Sequence, residues 1–211
     1  MKKNYMHISL FFIGFCLLFS GCVHADQSAS VSPETRPAHW ARQMEISGLP
    51  NFHQVSPVLY RSAQPLADGF AELKKMGIRT VVNLRASHSD EEMLRDTGLN
   101  YESIPVNTWA LKEEDAVRFL KIVTDPAKTP VLLHCKHGAD RTGTLVAVYR
   151  ILLCGWTKEE ALKEMTEGGF GFHSVWKNLP CFVENLDTES IRKKANISRT
   201  GSENICPLPE K

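Results

Sequence analysis

Apolar positions along this chain change their spacing several times, and each change marks an element. Phe52-His53-Gln54-Val55 and Val58-Leu59-Tyr60-Arg61 are strand-like runs separated by the turn pair Ser56-Pro57, which predicts a hairpin. From Phe70 the spacing becomes helical: Phe70, Leu73 and Met76 share a face, and Gly77 ends the helix. Thr80 to Arg85 reads as a buried strand, Asp90 to Gly98 as a short helix, and Tyr101 to Val106 as another strand. Lys112 to Val123 is a helix packed through Ala116, Phe119, Leu120 and Val123, and Pro130-Val131-Leu132-Leu133 is a further strand. Leu145 to Cys154 is helical, Thr157 caps a helix over Lys158 to Met165, and Val175 to Leu186 is a last amphipathic stretch. This alternation predicts an α/β fold, with one domain built on a central, mostly parallel sheet of four to five strands flanked by helices. Trp40, Trp156 and Trp176 are expected to be packing residues.

The two ends of the chain fall outside the alternation. Met1-Lys2-Lys3 precedes an apolar run from Ile8 to Phe19, which predicts a secretory signal over residues 1–25. The run is shorter than the roughly 20 residues a membrane-spanning helix needs. Two processing sites compete. Val23-His24-Ala25 suits a signal peptidase and gives a soluble periplasmic or secreted protein, whereas Leu18-Phe19-Ser20-Gly21-Cys22 resembles a lipobox that would place a lipid anchor on Cys22. Phe19 is unusual directly before the serine of a lipobox, so the soluble form ranks first. Residues 26–38 read as a small, polar, proline-bearing linker, 39–189 as the folded domain and 190–211 as a charged tail. Roughly 150 residues suit one core, and a monomer is expected.

The chemistry is concentrated where the strand ending at Leu133 meets the helix beginning near Leu145. The link is His134-Cys135-Lys136-His137-Gly138-Ala139-Asp140-Arg141-Thr142-Gly143. Five residues separate Cys135 from Arg141, so a curled loop turns the amides from Lys136 through Ala139 inward and forms an anion nest. The helix N-terminus adds its own donors, and the planar fork of Arg141 can hold two oxygens of one phosphate. That field favours a thiolate at Cys135, the nucleophile. Thr142 is placed to hydrogen-bond the sulfur, and His134 to orient the loop.

His-Cys-x5-Arg-Thr-Gly resembles the signature of the cysteine-dependent protein tyrosine and dual-specificity phosphatase superfamily. Tyr60-Arg61-Ser62-Ala63-Gln64-Pro65, then a helix, then Gly77-Ile78 and Thr80-Val81-Val82-Asn83-Leu84-Arg85, is similar to the N-terminal half of compact dual-specificity-like phosphatases of bacteria, fungi and plants. The resemblance spans about residues 51 to 185. It implies a phosphomonoester hydrolase working through a cysteinyl-phosphate intermediate. Expected substrates are phosphotyrosine or phosphoserine/threonine proteins, phosphoinositides or inositol phosphates. The alternative is a catalytically weak phosphate-binding module.

That alternative stays open because of the proton donor. The family supplies an aspartate two residues beyond the triplet that here is Ile104-Pro105-Val106, and this chain has Thr108 there. Three replacements compete: Asp140 inside the loop; Glu113, Glu114 and Asp115, which equally suit the dipole of the helix they open; and water or a good leaving group. Lys136 and His137 add positive charge to the rim, either as solvated loop residues or as recognition groups for substrates with several phosphates.

A formal net charge of +1, with mixed signs along the chain, gives no bulk electrostatic case for nucleic acid. No cysteine or histidine clusters have metal-ligand spacing, so neither metal nor cofactor is expected. Of six cysteines, Cys16 lies in the signal, and Cys22 is either removed or lipidated. Cys135 must stay reduced, and Cys154 falls on the inner face of its helix. Cys181 and Cys206 remain as the expected disulfide candidates.

Overall fold

Strand and helix alternate as the apolar pattern predicts, in a computed structural model that describes residues 36–198 and residue 206. The expected signal, Cys22, most of the linker and most of the tail lie outside the described residues. The strands are β1 (Arg42–Gln43), β2 (His53–Ser56), β3 (Leu59–Ser62), β4 (Thr80–Arg85), β5 (Asn100–Val106) and β6 (Val131–His134). The helices are α1 (Ala67–Lys75), α2 (Glu91–Leu94), α3 (Glu113–Val123), α4 (Asp140–Leu153), α5 (Lys158–Glu167), α6 (Asn178–Glu184) and α7 (Thr188–Ala195), with a 3-10 turn at Thr108–Ala110.

The sheet runs β1-β2-β3-β6-β4-β5. β3, β6, β4 and β5 are parallel neighbours, and β1, β2 and β3 form an antiparallel ribbon on one side. Six strands replace the expected four to five. The addition is β1, two exposed residues with no apolar alternation, which only its pairing with Gln54 and His53 defines.

Both faces of the parallel strands are covered, which is why β4 reads as a nearly continuous apolar run. Val81 packs with Phe70, Leu73, Ile78 and Leu132 on the α1 side, while Val82 and Leu84 join Ile104, Leu133, Phe119, Leu120 and Leu145 on the other. α4 lies in the middle of that second layer, and every residue in it except Arg141 is buried.

A charge buried that deeply on α4 needs a partner, and Arg150 finds one on the neighbouring helix. Arg150 donates from Nε and Nη2 to the two oxygens of Glu164 on α5, at 2.9 and 2.8 Å, and Glu164 also accepts the Ala41 amide at 2.6 Å. Cys154, at the C-terminal cap of α4, is bonded to Cys206. This corrects the choice of Cys181 and Cys206 as the disulfide candidates: Cys181 is exposed and free on α6, while Cys206 lies buried against the end of α4. The folded unit also continues past residue 189, where the charged tail was expected to begin. α7 buries Ile191 and Ala195 and docks on α3, where Lys194 pairs with Glu113 at 2.7 Å.

Candidate active site

Because β3, β6, β4 and β5 are parallel, their C-terminal ends share one edge, the usual place for a site in an α/β sheet. The loop from Cys135 to Ala139 sits there, between β6 and α4. Its peptide orientation is fixed from outside. The Lys136 carbonyl accepts from the Gln64 amide at 3.3 Å, the His137 carbonyl from Asn51 Nδ2 at 2.9 Å, and the Gly138 carbonyl from Arg61 Nη2 at 2.6 Å. Three successive carbonyls held outward leave the intervening amides to face the centre. Gly138 is required for the turn: its φ is +69°, and an added Cβ would lie 2.5 Å from the backbone of Ser62 and Ala63.

Arg61 has no solvent exposure and stacks 3.6 Å above the Phe170 ring. Burial pulls its guanidinium down to about 10, with Glu164 and Cys135 opposing the shift. Cys135 is itself buried and free. Arg141 Nη1 donates to the carbonyls of Leu84 and Val106 at the ends of β4 and β5, both at 3.3 Å, and its buried Nε has no protein partner. The Thr142 hydroxyl is likewise buried and unpartnered, so the hydrogen bond to the Cys135 sulfur expected from the sequence is not made here.

His134 is fully buried and its Nε2 lies 2.7 Å from Asp90 Oδ2. Gln64 Nε2 donates to the other Asp90 oxygen at 2.7 Å, and Arg85 Nη1 donates to Gln64 Oε1 at 2.8 Å. Burial alone would raise the Asp90 carboxyl, but the hydrogen bonds and charge of His134, with Gln64 and His88, hold it below the usual carboxylate range. In the sequence Asp90 stands only at the start of a short predicted helix. Forty-four residues separate it from His134, and no local pattern joins them.

The proposed acids are distributed unevenly. Asp140 is turned toward His173, in the segment between α5 and α6: its Oδ1 accepts the His173 amide at 2.9 Å, and its Oδ2 lies 2.9 Å from Nδ1. His173 was not singled out in the sequence. Glu113 bonds Ser190 Oγ at 2.9 Å and pairs with Lys194, while Asp115 accepts the Lys112 amide at 3.0 Å as a cap; Glu114 is exposed. Thr108 is buried, and its carbonyl accepts from Asn178. Lys136 and His137 are exposed on the rim. The imidazole of His137 is pushed down by burial first, then by the charges of His173 and Lys136. Among the described residues one grouping has metal-ligand chemistry, His137, Asp140 and His173, with candidate atoms within 4.8 Å of one another.

A parallel sheet that carries a Cys-x5-Arg loop at its C-terminal edge, with the amides turned inward, defines a cysteine-dependent phosphatase. The family model described as a DSP-PTPase phosphatase fused to NAD+ kinase matches residues 42–178, and the chain belongs to this dual-specificity phosphatase family. It is 34% identical over 176 residues to the dual specificity protein phosphatase TpbA of Pseudomonas aeruginosa, covering 83% of this chain and 78% of the relative. An inositol diphosphatase of Oryza sativa subsp. japonica is 33% identical over 149 residues, covering 67% of this chain and 72% of that one. A crystal structure of P. aeruginosa TpbA, as a cysteine-to-serine variant in complex with phosphotyrosine, superposes with a TM-score of 0.68 at 32% identity, covering 78% of this chain and all of that one.

Proposed function

We propose that the chain hydrolyses phosphomonoesters through a cysteinyl-phosphate intermediate. Cys135 is the nucleophile, Arg141 and the amides from Lys136 to Ala139 clamp the phosphate, Thr142 steadies the sulfur, His134 orients the loop, and Asp140 serves the leaving-group side. The observation that carries this reading is the outward anchoring of the Lys136, His137 and Gly138 carbonyls, since that orientation stabilises a bound dianion and little else. Phosphotyrosine in proteins is the best-supported substrate class, because TpbA is a dual specificity protein phosphatase and its variant was crystallised with phosphotyrosine. Inositol phosphates are the second reading, favoured by exposed Lys136 and His137 on the rim and by the similarity to a plant inositol diphosphatase.

The proposal extends to export. The apolar run from Ile8 to Phe19 supports it, and the Cys154–Cys206 bond suits an oxidising compartment. Cleavage after Ala25 gives a soluble monomer, and lipidation at Cys22 is the anchored alternative.

Turnover of para-nitrophenyl phosphate by the purified protein, followed by release assays on phosphotyrosine peptides, phosphoserine peptides and inositol phosphates, tests the reading. Cys135→Ser should retain vanadate binding and lose turnover to below about a thousandth, because the serine hydroxyl does not ionise in this field. Residual activity well above that level would place the nucleophile elsewhere.

A further inference from the structure

We infer that the imidazole of His173 delivers the proton to the leaving oxygen, and that Asp140 is its positioning residue rather than the donor. The inference rests on the cysteinyl-phosphate reading and supplies the group that reading lacks. Thr108 carries no acidic proton at the position where the resemblance implies an aspartate, and Glu113 and Asp115 are committed to α7 and to a helix cap. Asp140 lies next to Arg141, yet both its oxygens are taken by His173: Oδ1 by the backbone amide at 2.9 Å, and both oxygens by Nδ1 at 3.0 and 2.9 Å.

The same contacts define what His173 can do. Nδ1 is bound to the carboxylate, so Nε2, on the other side of the ring, is the nitrogen available to substrate; a carboxylate holding one nitrogen to aim the other is a recurrent arrangement in proton transfer. The ring is about half exposed, and its centroid lies 5.2 Å from that of His137, a residue of the loop itself. Asn51 fixes this arrangement, because its Nδ2 donates at 2.9 Å both to the His137 carbonyl of the loop and to the Phe170 carbonyl of the His173 segment. The charged groups around the imidazole pair are Asp140 and Arg141 from α4, and Lys136 from the loop. The segment from Gly168 to Trp176 contributes no other charged side chain.

In the first step the Cys135 thiolate forms the S–P bond as the P–O bond breaks. The electron pair of that bond goes to the leaving oxygen, which takes the Nε2 proton of the imidazolium and departs as an alcohol. In the second step water attacks phosphorus and gives its proton to the now neutral Nε2. The S–P bond breaks back to thiolate and releases inorganic phosphate, so ester and water become alcohol and phosphate.

The test is kcat/KM, which reports phosphoenzyme formation, over a series of phosphate esters of rising leaving-group pKa. His173→Asn should lose roughly a hundredfold or more on alkyl phosphates and remain nearly unchanged on para-nitrophenyl phosphate, so that a steep leaving-group dependence appears. Asp140→Asn should show the same dependence in weaker form, because the amide oxygen still accepts from Nδ1. Vanadate binding by each variant certifies an intact socket, and His173→Gln replaces His173→Asn if the latter does not fold. A uniform loss across the series, an unchanged alkyl rate in the His173 variants, or a larger alkyl loss in Asp140→Asn than in His173→Asn would each overturn the assignment. Failure of the cysteinyl-phosphate reading itself is distinct, since it would appear as no turnover of any ester by the parent protein, or as turnover retained by Cys135→Ser.

Discussion

The guanidinium of Arg61 donates to the carbonyl of Gly138 at 2.6 Å from beneath the loop, in a position with no solvent exposure. Arg61→Met keeps much of the volume and removes the donor, leaving that carbonyl free to turn. An unmet buried acceptor costs roughly 1–3 kcal/mol, so vanadate affinity and kcat/KM should both fall by about tenfold or more. Vanadate affinity equal to that of the parent protein would mean that Asn51 and Gln64 hold the loop without Arg61.

Arg141 reaches the ends of β4 and β5 with one nitrogen, and the remainder of its fork is what a phosphate would meet. Arg141→Lys keeps the charge and loses the two-pronged geometry, and is therefore expected to cost nearly as much turnover as Arg141→Ala. Steady-state kinetics on para-nitrophenyl phosphate decide this, and near-normal activity in the lysine variant would show that charge alone suffices.

Burial, helped by the neighbouring Arg61 charge, pushes the His53 imidazole down from 6.5 to about 4. The folded state therefore keeps His53 neutral where the unfolded chain takes a proton. Stability is intact above pH 6.5 and falls as pH drops toward 4, by an amount on the order of 3 kcal/mol. Asp90 and Glu113, whose carboxyls are lowered, lose their contributions only at or below the ordinary carboxylate range, so urea denaturation between pH 6.5 and 4.5 reads His53 together with His137, whose imidazole is also lowered. His53→Gln should flatten the dependence in that window, and an unchanged slope would assign it to another group.

Cys206→Ser removes a crosslink that closes 52 residues, worth up to about 4 kcal/mol on a chain-entropy estimate. The bond joins the end of α4 farthest from the loop, roughly 20 Å along the helix. Melting temperature should fall while kcat/KM at low temperature stays close to that of the parent protein. Thiol titration of the unfolded parent should find Cys154 and Cys206 unreactive, and Cys181 reactive.

Elements whose apolar positions repeat over several residues were readable in advance, β4 and α3 among them, because both bury a regular face. The loop was readable because its chemistry is contiguous. What escaped depends on distance or on sparse burial. β1 offers two exposed residues, α7 buries only Ile191 and Ala195 among charged neighbours, and Cys154 meets a partner 52 residues away. The supports of the site escaped for the same reason, since Asp90 reaches His134 across 44 residues and His173 reaches Asp140 across 33. Periodicity reports which face a residue occupies, but it carries no information about which distant loop comes to lie beside it.

The outward anchoring of the Lys136, His137 and Gly138 carbonyls has a kinetic consequence. A socket shaped by Asn51, Arg61 and Gln64 rather than by its occupant does not distinguish an ester from the free anion by its own rearrangement. Discrimination must come from contacts beyond the phosphate, with His137 and Lys136 at the rim. Inorganic phosphate released by each turnover meets the same inward amides as the incoming ester, so product inhibition is built into the rigidity that makes the loop an efficient clamp.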